Sequence, residues 1–280
     1  MIIVKIRGGI GNQLFQYALG RTLAVKYNTN LILDTSWYCG ADRKFALDEL
    51  NTVYKSKISN RFILSIIIFL LKPRVIKDMD SFEKIEIKSK ESAVLDGWWG
   101  SYPKYFSETE IFALKKEITL KHPSKKFLDY SQKIGGDNSI AVHVRRGDFL
   151  RHQEKYVVQD KSYYINAIQK LISEEGLQKP RVSVFSEKTH GGIEWCKENI
   201  KIDGVKIEIL EDSGISDLEE LFLISMAKYN IISNSTFSWW AAFLNKNQNK
   251  IIVAPAEWQK DDSINKQVVS DLVSPTWKII

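Results

Sequence analysis

Short apolar runs alternate with amphipathic segments through the second half of the chain. The apolar runs have the length of buried strands and lie at 140–144, 181–186, 206–210, 230–235 and 250–255. Segments with helical apolar spacing lie between them, at 161–176, 193–200, 216–228 and 236–244. Such alternation is typical of a parallel sheet with helices on both faces. The pattern therefore predicts an α/β fold with a doubly wound parallel sheet in this half.

The beginning of the chain has the same kind of pattern. An apolar run, a glycine-rich turn, a helical segment and a second strand follow one another at 2–6, 7–13, 14–27 and 30–34. The stretch at 40–135 has no comparable regularity. Two regular ends with an irregular middle predict two domains, 1–135 and 136–280.

The most apolar stretch is FILSIIIFLL at 62–71, between Arg61 and Lys72. It is shorter than the ~20 residues that a membrane-spanning helix needs. A helix of this length and composition is more often part of a core than a membrane contact. We therefore predict a buried helix, with contact to a membrane surface as the alternative.

Composition and charge exclude several classes of protein. Hydrophobic residues make up 44% and charged residues 26%, which is ordinary for a globular protein and too apolar for a disordered chain. The net charge of +6 suits an anionic small ligand or a membrane surface, and the basic residues form no stripe of the kind that binds nucleic acid. Cys39 and Cys196 match no metal or redox spacing, and the N-terminus has no signal-peptide layout. A cytoplasmic protein with reduced thiols is predicted.

The apolar run at 140–144 leads into a charged sequence, HVRRGDF, at residues 143–149. Ligands of a doubly wound sheet bind beyond the carboxyl ends of its strands. The guanidinium groups of Arg145 and Arg146 match phosphate oxygens, and His143 lies beside them. An ion pair with Asp148 would account for only one arginine, so we favour an anionic ligand.

Ser235 and Thr236 lie where a predicted strand meets a predicted helix. Their hydroxyls can cap that helix, and its free N–H groups and dipole attract an anion. Capping alone is the simpler interpretation, but the two roles are compatible. Together with the arginine pair of the same sheet, this sequence predicts a pocket for a nucleotide diphosphate.

The glycine-rich loop GGIGNQ at 8–13 lacks both the full dinucleotide fingerprint and the P-loop lysine. Asn12 and Gln13 are nevertheless expected at the mouth of the first sheet. Their amides could contact a sugar or a phosphate there.

Two further patterns carry less weight. The triplet of Asp78, Met79 and Asp80 has the D-x-D form that holds a metal on a sugar-nucleotide diphosphate, but such triplets are frequent by chance and no strand context supports this one. The remaining histidines match no zinc spacing and are interpreted as surface residues: His122, His152 and His190. No metal site and no cofactor is predicted.

Three motifs together resemble the bacterial α-1,2-fucosyltransferases of glycosyltransferase family 11: GGIGNQLFQYALGRTLA, HVRRGDF and IISNSTFSWWAAFL. The resemblance covers nearly the whole chain. HVRRGD is shared with α-1,6- and protein O-fucosyltransferases, whereas NSTFSWWAA is typical of the α-1,2 group. The resemblance implies a GT-B-like fold of two facing Rossmann-like domains, with GDP-β-L-fucose held by the C-terminal one. It also implies inversion at the fucose carbon and no metal requirement.

Site residues follow from the resemblance by position. It implies that Arg145 contacts the β-phosphate with His143 and Arg146 beside it, and that Asn12 lies near the reacting centre. The diphosphate and guanosine would be lined by Ser235, Thr236 and Phe237. The implied acceptor is the 2-hydroxyl of a galactose in an O-antigen repeat. We expect that acceptor to be lipid-linked at the cytoplasmic face of the inner membrane.

The chain departs from the family pattern in three places. The usual FSDD leading into I-x-W-C is replaced by FSEKTHGGIEWC, so Glu187 and Lys188 stand in place of two aspartates. If one of those aspartates reads guanine, Glu187 would do so with a longer reach. Glu220 stands where an aspartate is common, and LDGWWGSYPKYF replaces GYFQS-x-KYF, which leaves the choice of acceptor open.

Catalysis without a metal would depend on charge stabilisation. Arg145 and the helix that starts near Thr236 can neutralise the charge that grows as the bond to GDP breaks. Asp148 and Asp96 are alternative candidates for a general base, and a dissociative reaction would need neither. Two other functions are kept as alternatives: a glycosyltransferase that uses another GDP-sugar, and a nucleotide- or glycan-binding module without chemistry.

Overall fold

The computed structural model describes residues 1–78, 85–88, 91–101, 106–211 and 214–280. It divides into an N-terminal unit, Met1–His122, and a C-terminal unit, Pro123–Ile280. The predicted boundary at 135/136 lies inside the C-terminal unit. The reason is that the helix Lys125–Ile134 packs on the helix Asp217–Met226 of that unit.

The N-terminal unit contains a parallel sheet. Its strands are β1 (Ile2–Lys5), β2 (Leu31–Asp34), β3 (Ser56–Ile58), β4 (Arg74–Lys77) and β5 (Ala93–Asp96). Its helices are α1 (Ile10–Lys26), α2 (Arg61–Leu71) and α3 (Glu108–Glu117), with single 3₁₀ turns at Ser36–Tyr38 and Leu47–Glu49. The strand order is β3-β2-β1-β5-β4, and every pair is parallel. Strands β3 and β4 lie at opposite edges of this sheet.

Helix α1 begins at Ile10, so it includes most of the turn predicted at 7–13. It lies close against the sheet because Gly20 faces β1: a Cβ atom at Gly20 would come within 2.3 Å of Val4 Cγ2. Leu14 and Leu19 are fully buried. This packing holds the glycine loop, which precedes the helix, at the carboxyl end of β1.

Helix α2 corrects one prediction. The apolar stretch at 62–71 is helical, and the Asn60 side chain caps its start by accepting the Phe62 N–H at 2.8 Å. Of the helix residues only Leu64 is buried, whereas Phe62 and Phe69 are largely exposed. The prediction of a buried helix is therefore wrong, because the sheet covers one face of α2 and leaves the other open. In the described part of the chain, no helix has the length and hydropathy to cross a membrane.

The C-terminal unit contains a second parallel sheet. Its strands are β6 (Ser139–Val144), β7 (Arg181–Ser186), β8 (Lys206–Ile209), β9 (Tyr229–Ile231), β10 (Ile251–Ala254) and β11 (Lys278–Ile279). Its helices are α4 (Lys125–Ile134), α5 (Gly147–Arg151), α6 (Lys161–Glu174), α7 (Gly192–Asn199), α8 (Asp217–Met226), α9 (Thr236–Leu244) and α10 (Asp262–Leu272). The predicted strands and helices of this half are confirmed, whereas α4, α5, α10 and β11 were not predicted.

The strand order of this sheet is β11-β10-β9-β6-β7-β8, with all pairs parallel. Read from its first strand, this is the order of the dinucleotide-binding fold, with the change of direction between β6 and β9. Val142 and Val144 of β6 pack with the fully buried Tyr164 of α6. The predicted α/β class, with a doubly wound parallel sheet in the C-terminal half, is confirmed.

The two cysteines have different environments. Cys39 follows the first 3₁₀ turn and is exposed, whereas Cys196 is buried in α7. Both are free thiols. Burial raises the pKa of Cys196 to about 12, so this thiol stays protonated and unreactive near neutral pH.

Candidate active site

The residues predicted from HVRRGD and NSTF meet at one edge of the C-terminal sheet. Strands β6 and β9 are direct neighbours, with Val142 opposite Ile231, and both run toward this edge. Arg145 and Arg146 follow β6, and Ser235 follows β9. In sheets of this topology the crevice between the two strands at the change of direction is where ligands bind.

Arg145 lies immediately beyond the last residue of β6. Its Nη2 atom is 2.5 Å from Asp148 Oδ1, a pair within one turn of the chain. Its Nε atom is buried and has no hydrogen-bond partner among the described residues. A buried donor without a partner is rare in native proteins and is often completed by a ligand or water. The ion pair with Asp148, the alternative interpretation of this sequence, is present, and it leaves this N–H unused.

Arg146 lies over an aromatic ring that was not predicted as part of the site. Its Cζ atom is 4.1 Å from the centroid of Trp195 in α7. Stacking on an indole holds a guanidinium in place without consuming its hydrogen bonds. Trp195 lies in the IEWC sequence quoted above, so this motif could have identified it as a residue of the site.

Glu187 follows β7 and binds the backbone of the arginine loop. Its carboxylate accepts the N–H of Gly147 and, at 3.2 Å, that of Arg146, and the Ser186 hydroxyl donates to it at 3.3 Å. The carboxylate thus fixes the start of α5 against β7. Its predicted contact with guanine stays a prediction.

The second substituted position of that motif, Lys188, contacts a buried carboxyl group. Lys188 Nζ donates to the Ile215 carbonyl at 2.7 Å and lies 3.8 Å from Glu220 Oε2. Burial raises the pKa of Glu220 to about 8, against the lowering effect of Lys188. A carboxyl group that holds its proton near neutral pH therefore lies beside the end of β7.

His143 joins the end of β6 to the start of α9. Its Nδ1 atom lies 2.5 Å from the Ser238 hydroxyl and 3.2 Å from that of Ser233, and the two hydroxyls are 2.9 Å apart. Burial lowers the pKa of His143 to about 3, and the charge of Arg145 acts in the same direction. The imidazole is therefore neutral and adds no positive charge to the arginine pair. Its predicted contact with the donor stays a prediction.

The start of α9 confirms the predicted cap. The Ser235 side chain accepts the Phe237 N–H at 3.3 Å, and Thr236 is the first residue of the helix. The Phe237 ring lies 5.0 Å from the ring of His143. The amide of Asn234 donates to the carbonyls of Val157 and Trp258 at 2.8 and 2.9 Å. These contacts anchor the segment between β9 and α9 on both sides.

In the N-terminal unit, three side chains hold the glycine loop. The Gln13 amide donates to the carbonyls of Gly8 and Lys44 and accepts the Ala46 N–H, and the Tyr38 hydroxyl also donates to Gly8. Gln16 accepts the N–H of the residue before Gly8 at 2.9 Å. The expectation that Gln13 contacts a ligand is wrong, because its side chain is buried and these contacts use its amide.

Asn12 is half-buried beside the same loop. Gly8 has a φ of +82°, and a Cβ atom there would lie 2.9 Å from Asn12 Nδ2. Only glycine combines this conformation with so close an approach. The predicted position of Asn12 near the reacting centre stays a prediction.

Asp96 ends β5 and bridges to β1. Its carboxylate lies 2.8 Å from Lys5 Nζ and 3.2 Å from Arg7 Nη1, and Arg7 Cζ lies 4.7 Å from the centroid of Trp98. As a base it would have to accept a proton while two cations hold it. The contacts favour a structural role in joining two strands.

The D-x-D triplet is only partly described. Asp78 accepts the N–H groups of Trp98 and Trp99, each at 2.8 Å, whereas Met79 and Asp80 lie outside the described residues. Asp78 therefore closes the turn after β5. Within the ranges that the structure describes, no three His, Cys, Asp or Glu side chains are grouped as metal ligands.

Comparison with known proteins decides the family. Residues 76–280 match the sequence profile described as "Glycosyl transferase family 11". The chain belongs to glycosyl transferase family 11. It is 30% identical over 293 residues to an "Alpha-1,2-colitosyltransferase" of Escherichia coli, covering 95% of this chain and 94% of the relative. It is 26% identical to the Escherichia coli "O-antigen biosynthesis glycosyltransferase WbnK", covering 96% and 98%.

Solved structures of fucosyltransferases have the same fold as this family 11 chain. A mutant of Arabidopsis thaliana FUT1 in complex with GDP matches with a TM-score of 0.53 at 14% identity, covering 87% of this chain and 68% of that one. NodZ α-1,6-fucosyltransferase co-crystallised with GDP matches with a TM-score of 0.53 at 17% identity, covering 87% and 91%. The predicted GT-B-like fold class and the resemblance to family 11 are confirmed.

Proposed function

We propose that this family 11 glycosyltransferase moves L-fucose from GDP-β-L-fucose to the 2-hydroxyl of a galactose, with inversion at the fucose carbon. The proposed acceptor is a lipid-linked O-antigen repeat. The glycosyltransferase class follows from the family, and the similarity to an O-antigen glycosyltransferase supports the acceptor class.

One arrangement carries the proposal. Two arginines follow β6, and the capped start of α9 follows the neighbouring strand β9, at the change of direction of the C-terminal sheet. The network of His143, Ser233 and Ser238 ties these two elements together. Two guanidinium groups beside a helix N-terminus suit a diphosphate, because both attract and hydrogen-bond phosphate oxygens.

This arrangement also supplies the chemistry that the transfer needs most. As the bond between fucose and GDP breaks, negative charge grows on the β-phosphate. Arg145 can meet that charge with its unused Nε–H and with the N–H groups that Asp148 shares. Positive charge that is already in place lowers the activation barrier, because the site need not reorganise during the reaction. Diphosphate departure then needs no metal ion, as we propose.

Both aspartates that the sequence offers as candidate general bases contact cations in the structure. Asp96 is held by Lys5 and Arg7, and Asp148 is paired with Arg145. We propose that the departing phosphate takes the proton in a dissociative reaction and that Asp148 orients Arg145.

A second donor has an observation in its favour. The 30% identical relative is a colitosyltransferase, and colitose is fucose without its 3-hydroxyl. All proposed diphosphate contacts would serve either donor. Only a hydrogen bond to the 3-hydroxyl would separate them, because a site built around a hydroxyl rejects the analogue that lacks it by about 10⁴-fold or more.

A donor comparison tests the proposal. The purified chain is incubated with GDP-fucose, GDP-colitose, GDP-mannose or UDP-galactose, with and without a β-galactoside, and nucleotide release is measured. We expect release with GDP-fucose only when the galactoside is present, and an α-1,2 linkage in the product by NMR. Higher kcat/KM for GDP-colitose would replace fucose by colitose. GDP binding without release from any donor would favour a binding module.

Metal independence is tested on the same reaction. We expect full activity in excess EDTA, since the arginines and the start of α9 carry the charge stabilisation. Loss of activity that Mg²⁺ or Mn²⁺ restores would contradict this and would make Asp78 and Asp80 candidate metal ligands.

A further inference from the structure

Helix α2 has two apolar faces. One face packs on the N-terminal sheet: Leu64 is buried with Ile3 and Val94, and Ile67 and Ile68 pack against the same cluster. The opposite face is also apolar, although nothing in the described residues covers it. Phe62, Phe69 and Leu70 are 74%, 75% and 71% exposed, and Ile63 and Ile66 lie beside them at 50% and 43%.

The connectivity of the unit explains the position of α2. It follows β3 at one edge of the sheet and precedes β4 at the other, so it crosses the sheet between them. A helix that covers a sheet needs one apolar face for that contact. A second apolar face has no use in folding and exposes rings to water at a cost. Such a patch on a soluble domain marks an interaction surface.

Charge identifies the class of partner. The stretch from Asn51 to Lys77 contains α2 and no acidic residue, but it has six basic ones: Lys55, Lys57, Arg61, Lys72, Arg74 and Lys77. The rest of the chain has 34 basic and 34 acidic residues, so this stretch accounts for the whole net charge of +6. All six are exposed, and Lys57 is paired with Asp48. Basic side chains thus flank the apolar face at both ends.

We propose that the outward face of α2 binds an anionic lipid surface. The helix has 11 residues, about half of what spanning requires. It can lie in the plane of the headgroups, with Phe62, Phe69 and Leu70 inserted and the basic residues near lipid phosphates. A protein partner or a second copy would cover the apolar face equally well. The six basic residues of the stretch that contains α2, which has no acidic residue of its own, favour the membrane.

Vesicle co-sedimentation tests the proposal without any use of catalysis. The full chain is mixed with vesicles of phosphatidylcholine alone or of phosphatidylcholine with phosphatidylglycerol. We expect sedimentation with the anionic vesicles, weaker binding to the neutral ones, and release by high salt. Phe62→Ser combined with Phe69→Ser should lower the partition coefficient at least ~tenfold, because two inserted rings are lost. Lys72→Gln combined with Lys77→Gln should lower it roughly tenfold.

Matched controls separate this face from general stickiness. Phe112 of α3 is 70% exposed, and Phe112→Ser should leave vesicle binding unchanged. Lys201→Gln combined with Lys206→Gln removes two exposed charges of the C-terminal unit and should have little effect. Every substituted side chain is exposed, so thermal unfolding and fucosyl transfer to a soluble galactoside should match the unmodified chain.

Three outcomes would overturn the proposal. They are no sedimentation with anionic vesicles, equal binding to neutral and anionic vesicles, and equal loss in the Phe112→Ser control. A concentration-dependent dimer in analytical ultracentrifugation that Phe69→Ser abolishes, without vesicle binding, would assign the face to a second copy. Failure of the donor comparison leaves these results unaffected, because sedimentation needs no turnover.

Discussion

The two units place similar side chains at the same point of similar sheets. Cations end or follow the first strand of each sheet: Lys5 and Arg7 at β1, and Arg145 and Arg146 at β6. In each unit, one of these arginines lies over a tryptophan ring. What differs is the origin of the carboxylate that pairs with them.

In the N-terminal unit the carboxylate comes from a neighbouring strand. Asp96 of β5 contacts Lys5 and Arg7 together, so the pair joins two strands that are distant in sequence. In the C-terminal unit Asp148 contacts Arg145 within one turn of chain. This local, part-exposed pair joins no second strand, and it leaves the Nε–H of Arg145 without a partner among the described residues. The same kinds of side chain thus join two strands in one unit and, as we propose, bind the donor diphosphate in the other.

The largest effect is expected at Arg145. Arg145→Ala should lower kcat with GDP-fucose by about 10²–10³, or roughly 3–4 kcal/mol, and should change donor affinity less, because the lost charge contact strengthens toward the transition state. Arg145→Lys should recover only part, since lysine lacks the guanidinium fork. The measurement is steady-state kinetics at saturating donor.

The matched control for Arg145 is Arg151→Ala, an exposed arginine at the end of α5. It should keep activity near that of the unmodified chain. If Arg145→Ala folds normally and keeps near-full turnover, the site in the C-terminal unit is misassigned.

A second effect, in stability, is expected at Glu220. Its pKa is about 8 in the folded protein, against an ordinary value of 4.5. Between these values the folded state holds a proton that the unfolded state has lost, so the free energy of unfolding falls as pH rises through this window. Glu220→Gln removes this dependence and should gain stability relative to the unmodified chain from pH 5 to pH 8, by up to ~3 kcal/mol.

Urea unfolding at several pH values measures the Glu220 effect. Glu208→Gln, which changes an exposed residue of β8, is the control and should show no such trend. Parallel pH curves for Glu220→Gln and the unmodified chain would contradict a carboxyl group that is protonated in the folded state.

Asp96→Asn tests the structural half of the comparison. It leaves Lys5 and Arg7 without their shared carboxylate and should lower the free energy of unfolding by about 1–2 kcal/mol. Turnover should fall no more than ~threefold in this variant, which is less than the effect of one lost hydrogen bond to a charged group. Collapse of activity with unchanged stability would instead make Asp96 the base.

Asp148→Asn tests the other half of the comparison. An asparagine keeps a hydrogen bond to Arg145 but loses the charge, so kcat/KM should fall roughly tenfold, or about 1.4 kcal/mol. The pH–rate profile should keep its shape, because we propose that Asp148 orients Arg145 and does not take the acceptor proton. Disappearance of the acidic limb, together with a far larger loss, would identify it as a general base.

Much of the C-terminal unit could be predicted because strands β6, β7, β9 and β10 are mostly buried. The run at 181–186 coincides with β7, and 236–244 with α9. Arg145, Asp148 and Ser235 could be placed at strand ends for the same reason: apolar runs stop where the sheet ends.

Contacts between residues far apart in sequence could not be predicted. The stacking of Arg146 on Trp195 and the network of His143 with Ser233 and Ser238 depend on how neighbouring strands align. Burial of α2 was misjudged for a related reason. Hydropathy measures how poorly a segment is solvated, but only the tertiary structure decides which of its faces is covered.

The two cysteines differ in exposure, so a fluorescent label can be attached to one of them selectively. Cys39 is exposed and follows Tyr38, whose hydroxyl donates to the Gly8 carbonyl, whereas Cys196 is buried with a pKa of about 12. A maleimide dye should therefore label the unsubstituted chain at one position, beside the support of the glycine loop. Its fluorescence would follow changes in that loop during donor titration in real time, without a radioactive sugar or an acceptor.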